Sequence, residues 1–352
     1  TSGIAAIGDV QRLKRIGSKV VIVYFLMTVI ACIVGIVMVN ITHPGVGFTL
    51  DNMQAFDTSK VKTPSFVNFL FDMVPVNIVD SMAKNQIMQM IFFTVLVGVA
   101  LVSLGEKVAG VTKIFDQCAS IIYKMLDIVM LYSPIGVLAL MANTTAVFGP
   151  KLFGVLAKFV FTDWVGCLLI WFFFSGIVWL YTKVNYLEMC KSMIPIWVNT
   201  IATNSSAGTI PITLNVTTER LKVPMSIASF SIPLGATINL TGAALYKTIL
   251  AFFVAEIYGL QLTIDQILMV IIISTIMSIA APGIPGGGIV TGAIFLNLLG
   301  LPMDLMGPIA GMYRLIDMSH TTVNVSGDVL GTMLVAKNEN IWTGEDFNKT
   351  LV

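Results

Sequence analysis

The chain has 352 residues, of which 56% are apolar and only 11% are charged, and its formal net charge is +1. Because soluble domains carry about 25% charged residues, this composition excludes an ordinary soluble protein and indicates one embedded in a lipid bilayer. The near-neutral charge gives no sign of a nucleic-acid-binding surface. The 4 cysteines have no metal-ligand or disulfide spacing, so we expect them to be small core residues.

In the first half of the chain, apolar runs predict four membrane spans, because a spanning helix needs about 20 mostly apolar residues. We place these spans at Val20–Val39, Gln89–Ser103, Ile121–Ala142 and Leu156–Tyr181. The third is expected to break at Ser133–Pro134. The polar segment after the first span, up to about Pro64, is expected to be an external loop, and Val67–Ala83 to be amphipathic and irregular. The chain begins with Thr1 and has no signal-peptide pattern, so we expect its natural N-terminus to be missing.

The second half contains two apolar stretches that small and polar residues interrupt. Each is expected to form a re-entrant hairpin, Glu188–Glu219 with its tip at Asn204–Gly208 and Thr263–Gly300 with its tip at Pro282–Gly288. Non-helical backbone survives in lipid only where it is buried in protein or lines a cavity. By the positive-inside rule the ends of the first hairpin are cytoplasmic, so the two hairpins enter from opposite sides. The alternative is that both tips are ordinary loops between separate short helices.

An apolar span follows each hairpin, and both spans carry the motif Asn-x-Ser/Thr-Gly. It lies at Asn239–Gly242 in the span Pro224–Ile257 and at Asn324–Gly327 in the span Met306–Lys337. Both spans are therefore predicted to be broken helices. Corresponding breaks in two halves of a chain point to the central site of a secondary transporter. The sequence thus predicts an all-α membrane protein with two re-entrant helical hairpins and broken helices in an inverted repeat.

Polar side chains within these spans are candidate ligands. Asn239, Asn324 and Asp328 recur beside unwound carbonyls, and this oxygen-rich set suits a hard cation such as Na⁺. The alternative for the asparagines is hydrogen bonding between helices. Asp317 is an intramembrane carboxylate and hence a functional candidate, unless it pairs with Arg314 three residues earlier.

Lys247 is a lone cation within the apolar run Ala243–Ala255, nearer the middle of its span than its end. Two interpretations stay open for it. Either its charged end reaches the membrane interface, or it is a buried internal cation with a functional role.

Three longer motifs resemble the dicarboxylate/amino acid:cation symporters, the glutamate-transporter family. They are Asn204-Ser-Ser-Ala-Gly-Thr-Ile-Pro211, Pro233-Leu-Gly-Ala-Thr-Ile-Asn239 and Asp317-Met-Ser-His-Thr-Thr-Val-Asn-Val-Ser-Gly-Asp328. The Gly283–Gly288 tip and the segment Gly331–Lys337 are also similar, so the resemblance runs from the first residues to about Lys337. It implies that two N-terminal helices are absent from this chain.

The resemblance also implies a domain organisation, within a single transporter domain that covers residues 1–352. Residues 45–142 would be mostly scaffold and trimerisation helices. Residues 1–44 and 152–337 would form most of a substrate-carrying domain, with the hairpins at 188–219 and 263–300. In a homotrimer, that domain would move like an elevator against the fixed scaffold.

Position by position, the resemblance assigns binding roles. The substrate site would comprise Ser205, Ser206, Ala243, Ile284, Gly288, Asp317, His320, Thr321 and Asn324. Asp317 stands where the family holds the amino group of the substrate, and Asn324 where it contacts the α-carboxylate. One Na⁺ would be held by Gly235, Asn239, Asn324 and Asp328, and a second by Thr237 with carbonyls of Ser278, Ile279 and Ala281.

Several positions depart from family members with acidic substrates. His320 replaces an Arg, and Ala243 replaces a Thr. Thr241 replaces the Asp that anchors a third Na⁺ site, and Met27 replaces a Thr that supports it, so the resemblance does not carry that site over. Because an acidic side chain needs a bidentate, permanent cation, which His does not supply, we expect a substrate with a neutral side chain. The alternative is an acidic amino acid or a C4-dicarboxylate, held by protonated His320 at low pH.

The resulting hypothesis is a sodium-coupled amino acid symporter in a bacterial plasma membrane. Its partners would be the amino acid, the lipid bilayer and two further copies of the chain, with Na⁺ as coupling ion and no organic cofactor. Lys247 would replace the third Na⁺, because it follows Thr241, which lacks the carboxylate of that site, in the same predicted broken helix. An intramembrane metalloprotease is excluded, because the chain has 2 histidines and no His-Glu-x-x-His motif. A serine hydrolase using His320 would lack an oriented third group, and an ion channel remains an alternative class.

Overall fold

The computed structural model describes residues 10–48, 71, 73–84, 86–149, 151–279 and 285–349. Every regular element within these ranges is a helix, so the prediction of an all-α protein is confirmed for this part of the chain. In the part of the chain that the structure describes, three helical segments are long and apolar enough to cross a membrane, and they are Arg15–Thr42, Lys151–Thr182 and Met225–Ile257.

In the first half, each predicted span falls on a helix. The helices are α1 Val10–Thr42, α2 Ile78–Ala83, α3 Ile87–Leu104, α4 Ala109–Leu131, α5 Ser133–Phe148 and α6 Lys151–Thr182. The predicted break in the third span is confirmed, because α5 begins at Ser133 with Pro134 in its first turn, where the missing N–H of proline costs nothing. The predicted external loop up to Pro64 lies largely outside the described residues.

The described residues of the second half form eight further helices. They are α7 Tyr186–Thr203, α8 Ser206–Asn215, α9 Met225–Ile238, α10 Thr241–Ile257, α11 Ile264–Ile279, α12 Gly287–Leu298, α13 Met306–Asn338 and α14 Gly344–Asn348. The pairs α7–α8 and α11–α12 occupy the two predicted hairpins, and a π-helical turn, Val216–Arg220, follows the first.

The first hairpin turns more tightly than the sequence predicts. Asn204 takes a left-handed backbone conformation with φ of 51°, and Ser205 then caps α8 by accepting a hydrogen bond from the N–H of Gly208 at 3.0 Å. Because this cap starts a new helix at once, only two residues separate α7 from α8. In the second hairpin, Gly286 has φ of 75° at the start of α12, and residues 280–284, which include the first part of the predicted tip, lie outside the described ranges.

The span that follows the first hairpin is broken where the motif predicts. Asn239 and Leu240 lie between α9 and α10 with ψ angles of 57° and 60°, which are not helical. Both residues are buried in the protein interior. The break therefore sits where unpaired backbone can find protein partners, as lipid requires.

The predicted break in the last span is wrong. The helix α13 runs without interruption from Met306 to Asn338, through the whole of Asn324–Asp328. The polar side chains of this segment bond to the neighbouring break between α9 and α10 instead of interrupting their own helix. The same motif thus breaks one helix and serves as its polar partner in the other.

The chain divides into two compact units, residues 62–147 and residues 1–61 with 148–352. The smaller unit contains α2 to α5. In the larger unit, α13 is central and contacts α1, α6, α7, α9 and α10, while α1 also packs along α10. The candidate site residues all belong to the larger unit.

Candidate substrate and cation site

Side chains from α13 close the break between α9 and α10. The N–H of Gly242, in the first turn of α10, donates to Asn324 Oδ1 at 2.7 Å. Asn239 Nδ2 donates to Asp328 Oδ1 at 2.8 Å and to the Asn324 carbonyl at 3.4 Å. Thr241 Oγ1 donates to Asn239 Oδ1 at 3.4 Å. The bond to Gly242 satisfies a backbone N–H that the break leaves without a helical partner, and the other bonds join the side chains around it.

The residues predicted for the first sodium site lie together around Asp328. A Cβ atom at Gly235 would lie 2.3 Å from Asp328 Oδ1, so glycine alone leaves room for this carboxylate. The Tyr24 hydroxyl on α1 donates to the Asp328 carbonyl at 3.1 Å. Asp328 is buried, and a buried carboxylate is costly unless it is paired or hydrogen-bonded. Together with the oxygens of Asn239 and Asn324, it forms a donor set that fits Na⁺.

The second predicted sodium site is only partly described, since Ala281 lies outside the described residues. Ser278 is fully buried near the end of α11, where Ile279 is the last helical residue. Thr237 is exposed on α9, and its hydroxyl donates to a carbonyl of its own helix at 2.7 Å. The Thr237 hydroxyl is therefore bonded within α9, and among the described residues it makes no hydrogen bond to Ser278 or Ile279.

Lys247 is fully buried beside that second site. Its Nζ donates to the Ala243 carbonyl at 3.3 Å and to Ser278 Oγ at 3.2 Å. The burial excludes the interpretation in which the ammonium reaches the membrane interface. The contact with Ser278 places the charge at the predicted second sodium site, whereas the sequence pattern connected it with Thr241.

Asp317 connects α13 to the tip of the second hairpin. Its Oδ2 accepts a hydrogen bond from the N–H of Gly286 at 3.1 Å, and the residue is buried. The Arg314 side chain is exposed, and the Arg314 carbonyl accepts from Asn204 Nδ2 at 3.0 Å, at the first tip. The geometry favours a functional carboxylate over a structural Arg–Asp pair. One turn of α13 thus contacts both predicted tips.

His320 contacts a carboxylate that sequence reasoning overlooked. His320 Nε2 lies 2.8 Å and 2.9 Å from the two carboxylate oxygens of Asp163 on α6. Ser319 Oγ donates to the same carboxylate at 3.1 Å, and Cys167 Sγ lies 4.0 Å from it. These bonds hold polar atoms of Asp163, Cys167 and His320 within 4.8 Å of one another. Asp163 is the only acidic residue in the apolar run Leu156–Tyr181, a signal that could have identified it.

Two tyrosines enclose the imidazole of His320. Its ring centroid lies 5.4 Å from that of Tyr246 and 6.2 Å from that of Tyr313. The Tyr313 hydroxyl reaches the second hairpin, where a Cβ atom at Gly288 would lie 1.7 Å from it. Among the described residues, neither His320 Nδ1 nor the Tyr246 hydroxyl has a hydrogen-bond partner, although both are buried.

The other predicted substrate residues are placed as follows. Ser206, Ala243 and Thr321 are buried, and Ser205 is half-buried at the cap of α8. Ile284 lies outside the described residues. The structure therefore brings Asn324 to the break between the helices and Asp317 to the second tip.

Comparisons with known proteins identify the family of the chain. Residues 1–338 match the profile of the sodium:dicarboxylate symporter family. A proton/glutamate-aspartate symporter of Bacillus subtilis is 30% identical over 98% of this chain and 84% of its own length. Another from Escherichia coli is 32% identical over 96% of this chain and 79% of its own length. A C4-dicarboxylate transport protein of Bacillus subtilis is 30% identical over 96% of this chain and 82% of its own length. The predicted family and membrane location are confirmed, and the chain belongs to the sodium:dicarboxylate symporter family.

Proposed function

We propose that the chain is a sodium-coupled symporter of acidic amino acids. The relatives carry glutamate, aspartate or C4-dicarboxylates in their names, so they do not support the neutral side chain expected from the sequence. They favour the alternative instead. That alternative comprises acidic amino acids and C4-dicarboxylates. The buried carboxylate of Asp317 favours the amino acids, because it attracts an ammonium group and repels the second carboxylate of a dicarboxylate.

The substrate is held between α13 and the two tips. Asp317 binds the amino group, and the side-chain amide of Asn324 donates to the α-carboxylate while its oxygen stays on Gly242. Ser206 and N–H groups at the start of α8 add hydrogen bonds from the first tip, where a helix N-terminus favours a negative charge. In support, Asn204 at that tip already contacts α13 through the Arg314 carbonyl.

Sodium is the coupling ion. It binds at Asp328 with Asn239, Asn324 and Gly235, on the network that holds α13 against the helix break. A bound Na⁺ stabilises that network, and the substrate shares Asn324 with it, so each ligand strengthens binding of the other. A domain loaded with only one of them closes less readily, which couples the two fluxes.

Transport proceeds by an elevator movement in a homotrimer. The pairs α7–α8 and α11–α12 are re-entrant hairpins of an inverted repeat, and residues 1–44 and 152–337 form the moving domain. Residues 45–142 form the scaffold. The separation of α2 to α5 from the remaining helices as two compact units supports this division.

A ligand screen tests the proposed substrate class. The purified chain is heated in detergent with individual amino acids and dicarboxylates, each with Na⁺ and with K⁺. We expect L-glutamate or L-aspartate to raise the unfolding temperature only in Na⁺, because ligand binding stabilises the folded state by mass action. Stabilisation by serine, alanine or succinate, with none by the acidic amino acids, contradicts the proposal.

A further inference from the structure

The contact between Asp163 and His320 determines which imidazole nitrogen can titrate. Both oxygens of the Asp163 carboxylate lie within 2.9 Å of His320 Nε2, and both side chains are almost fully buried. An ionised carboxylate only accepts hydrogen bonds, so Nε2 carries the hydrogen in this contact. The proton that distinguishes imidazolium from imidazole is therefore the one on Nδ1.

Nδ1 is also the atom that lacks a partner. It is buried without a hydrogen bond among the described residues, and so is the hydroxyl of Tyr246, the neighbouring ring. Buried polar atoms are normally hydrogen-bonded. Two unsatisfied polar atoms on adjacent side chains, beside Tyr313 at the second hairpin, point to a polar ligand that bonds to them.

Titratable groups surround the imidazole within the described residues. They lie on three helices, namely Asp163 and Cys167 on α6, Tyr246 on α10, and Tyr313 and Asp317 on α13. Two of these are carboxylates, and that of Asp163 contacts the ring directly. Lys247, the buried cation next in sequence to Tyr246, is bound to Ser278 on α11.

We propose that His320 is the proton-binding site of the transport cycle and that its Nδ1–H holds the side-chain carboxylate of the acidic substrate. Asp163 is a positioning residue, which fixes the ring through Nε2 and balances the imidazolium charge. This inference rests on the proposed function, because it names the group that reads the acidic side chain. It also explains how a chain without Arg at this position accepts such a substrate.

One proton is taken up and released in each transport cycle. It comes from the solution on the side from which the substrate enters, and it binds to the Nδ1 lone pair. The new N–H donates to the substrate carboxylate while Asp163 keeps its hydrogen bond to Nε2–H. After the domain has moved and the substrate has left, the proton returns to the solution on the other side, so one proton crosses with each substrate.

Binding of the proton then raises the affinity for the substrate, and binding of the substrate raises the affinity for the proton. An Arg would hold the carboxylate at every pH, whereas His does so only when it is protonated. Substrate affinity is expected to fall by about tenfold per pH unit in the range where free His320 is neutral, since one proton is taken up with each substrate.

The test uses the full chain in proteoliposomes that contain a trapped pH-sensitive dye. Uptake of labelled L-aspartate and internal acidification are recorded together under a fixed Na⁺ gradient, from about pH 6 to about pH 9, the range that brackets histidine titration. We expect one proton to enter with each aspartate and the uptake at low substrate concentration to fall as the external pH rises.

Three variants locate the proton. His320→Arg keeps a cation opposite Asp163 but cannot titrate, so aspartate uptake is expected without acidification and with a flat pH profile. Asp163→Asn keeps an acceptor for Nε2–H and removes the charge, so the pH at which uptake halves is expected to decrease. His43→Gln is the matched control, because His43 also contacts a carboxylate, that of Glu256 at 3.0 Å, but is exposed. It is expected to keep the wild-type proton-to-aspartate ratio.

The outcomes separate this inference from the proposed function. Sodium-driven aspartate uptake without acidification in the wild-type protein overturns the proton site and leaves the acidic substrate standing. Acidification that persists in His320→Arg, or disappears in His43→Gln, also overturns it. If His320→Arg is inactive, the pH shift in Asp163→Asn decides, and an unchanged profile in that variant contradicts the proposal. Failure of the wild-type protein to take up any acidic substrate refutes the proposed function itself.

Discussion

Asn324 caps a helix other than its own, since its Oδ1 accepts the hydrogen bond of Gly242 N–H in the first turn of α10 at 2.7 Å. The same residue is assigned to both the substrate and the first Na⁺. Its side-chain oxygen is therefore committed to structure, and its main-chain carbonyl accepts from Asn239 Nδ2 at 3.4 Å, while its amide nitrogen remains for the substrate. Binding or release of either ligand at Asn324 is therefore expected to act directly on the break between α9 and α10.

Removal of this cap is expected to destabilise the protein. In Asn324→Ala, the buried Gly242 N–H loses its partner, which costs about 1–3 kcal/mol of unfolding free energy. Asn324→Asp keeps an acceptor and is expected to lose less. Thermal unfolding in detergent measures both, with the exposed Asn40→Ala as control. Equal stability of Asn324→Ala and Asn40→Ala contradicts the capping role.

The Na⁺ requirement depends on the Asp328 charge. Asp328→Asn is expected to raise the Na⁺ concentration for half-maximal uptake by at least about tenfold, because bonds to a charged group contribute about 1.5–3 kcal/mol. Asp304→Asn, an exposed acidic residue in the same unit, serves as control. An Asp328→Asn protein with the wild-type Na⁺ dependence rules out this ion site.

Amino acid uptake depends on the Asp317 charge. Asp317→Asn keeps an acceptor for the Gly286 N–H but cannot pair with an ammonium group, so we expect a folded protein without amino acid uptake. Radiolabelled uptake measures this, and Asp265→Asn at the exposed start of α11 is the control. Retained uptake of aspartate in Asp317→Asn would show that the amino group binds elsewhere.

Lys247 is predicted to replace one coupling ion. Its ammonium lies on Ser278, at the predicted second sodium site, so we expect at most two Na⁺ per substrate. Reversal potentials in proteoliposomes give this ratio, and Lys247→Gln is expected to change it. A ratio of three in the wild-type protein, or an unchanged ratio in the variant, contradicts the replacement.

Glu339 joins the end of α13 to α1. Burial favours a raised pKa for this carboxyl group, but hydrogen bonds and charges from Lys19 and Arg15 prevail and lower the pKa below its ordinary value. The stabilisation is therefore full above about pH 4.3, the ordinary value for Glu, and is lost as the pH falls through the lowered pKa. Glu339→Gln should lower the unfolding temperature near neutral pH.

The control for that variant is Glu188→Gln, whose partner Lys191 lies 2.6 Å away on the same exposed helix face. Exposed pairs contribute about 0–1 kcal/mol, so this change is expected to have little effect. The difference between wild type and Glu339→Gln should shrink toward low pH. A difference that grows as the pH falls is the opposite of what the lowered pKa predicts.

The sequence predicted elements well where local chemistry decides them. The Ser133–Pro134 break and the Asn239 break were both located, because proline and the Asn-x-Thr-Gly motif act on their own backbone. The predicted break at Asn324 is wrong. The Asn324 side chain accepts a hydrogen bond from the backbone of Gly242 on a neighbouring helix, and no local sequence pattern predicts that contact.

The sequence proposed residues for the candidate site but not the contacts between them. His320 was compared with an Arg and was expected to face a neutral substrate. Its bond to Asp163 joins residues 157 positions apart in the chain, which neither motif nor spacing reveals. Lys247 was connected with Thr241 for the same reason, and its contact with Ser278 became visible only once α10 and α11 were placed together.

Concentrative uptake tests the central claim most directly. Proteoliposomes loaded with K⁺ receive labelled L-aspartate with an inward Na⁺ gradient, and the same vesicles receive it with equal Na⁺ on both sides. The account predicts that aspartate accumulates above its external concentration only with the gradient, and not in Asp317→Asn. Accumulation that ignores the Na⁺ gradient, or that occurs for serine or alanine and not for aspartate, would contradict it.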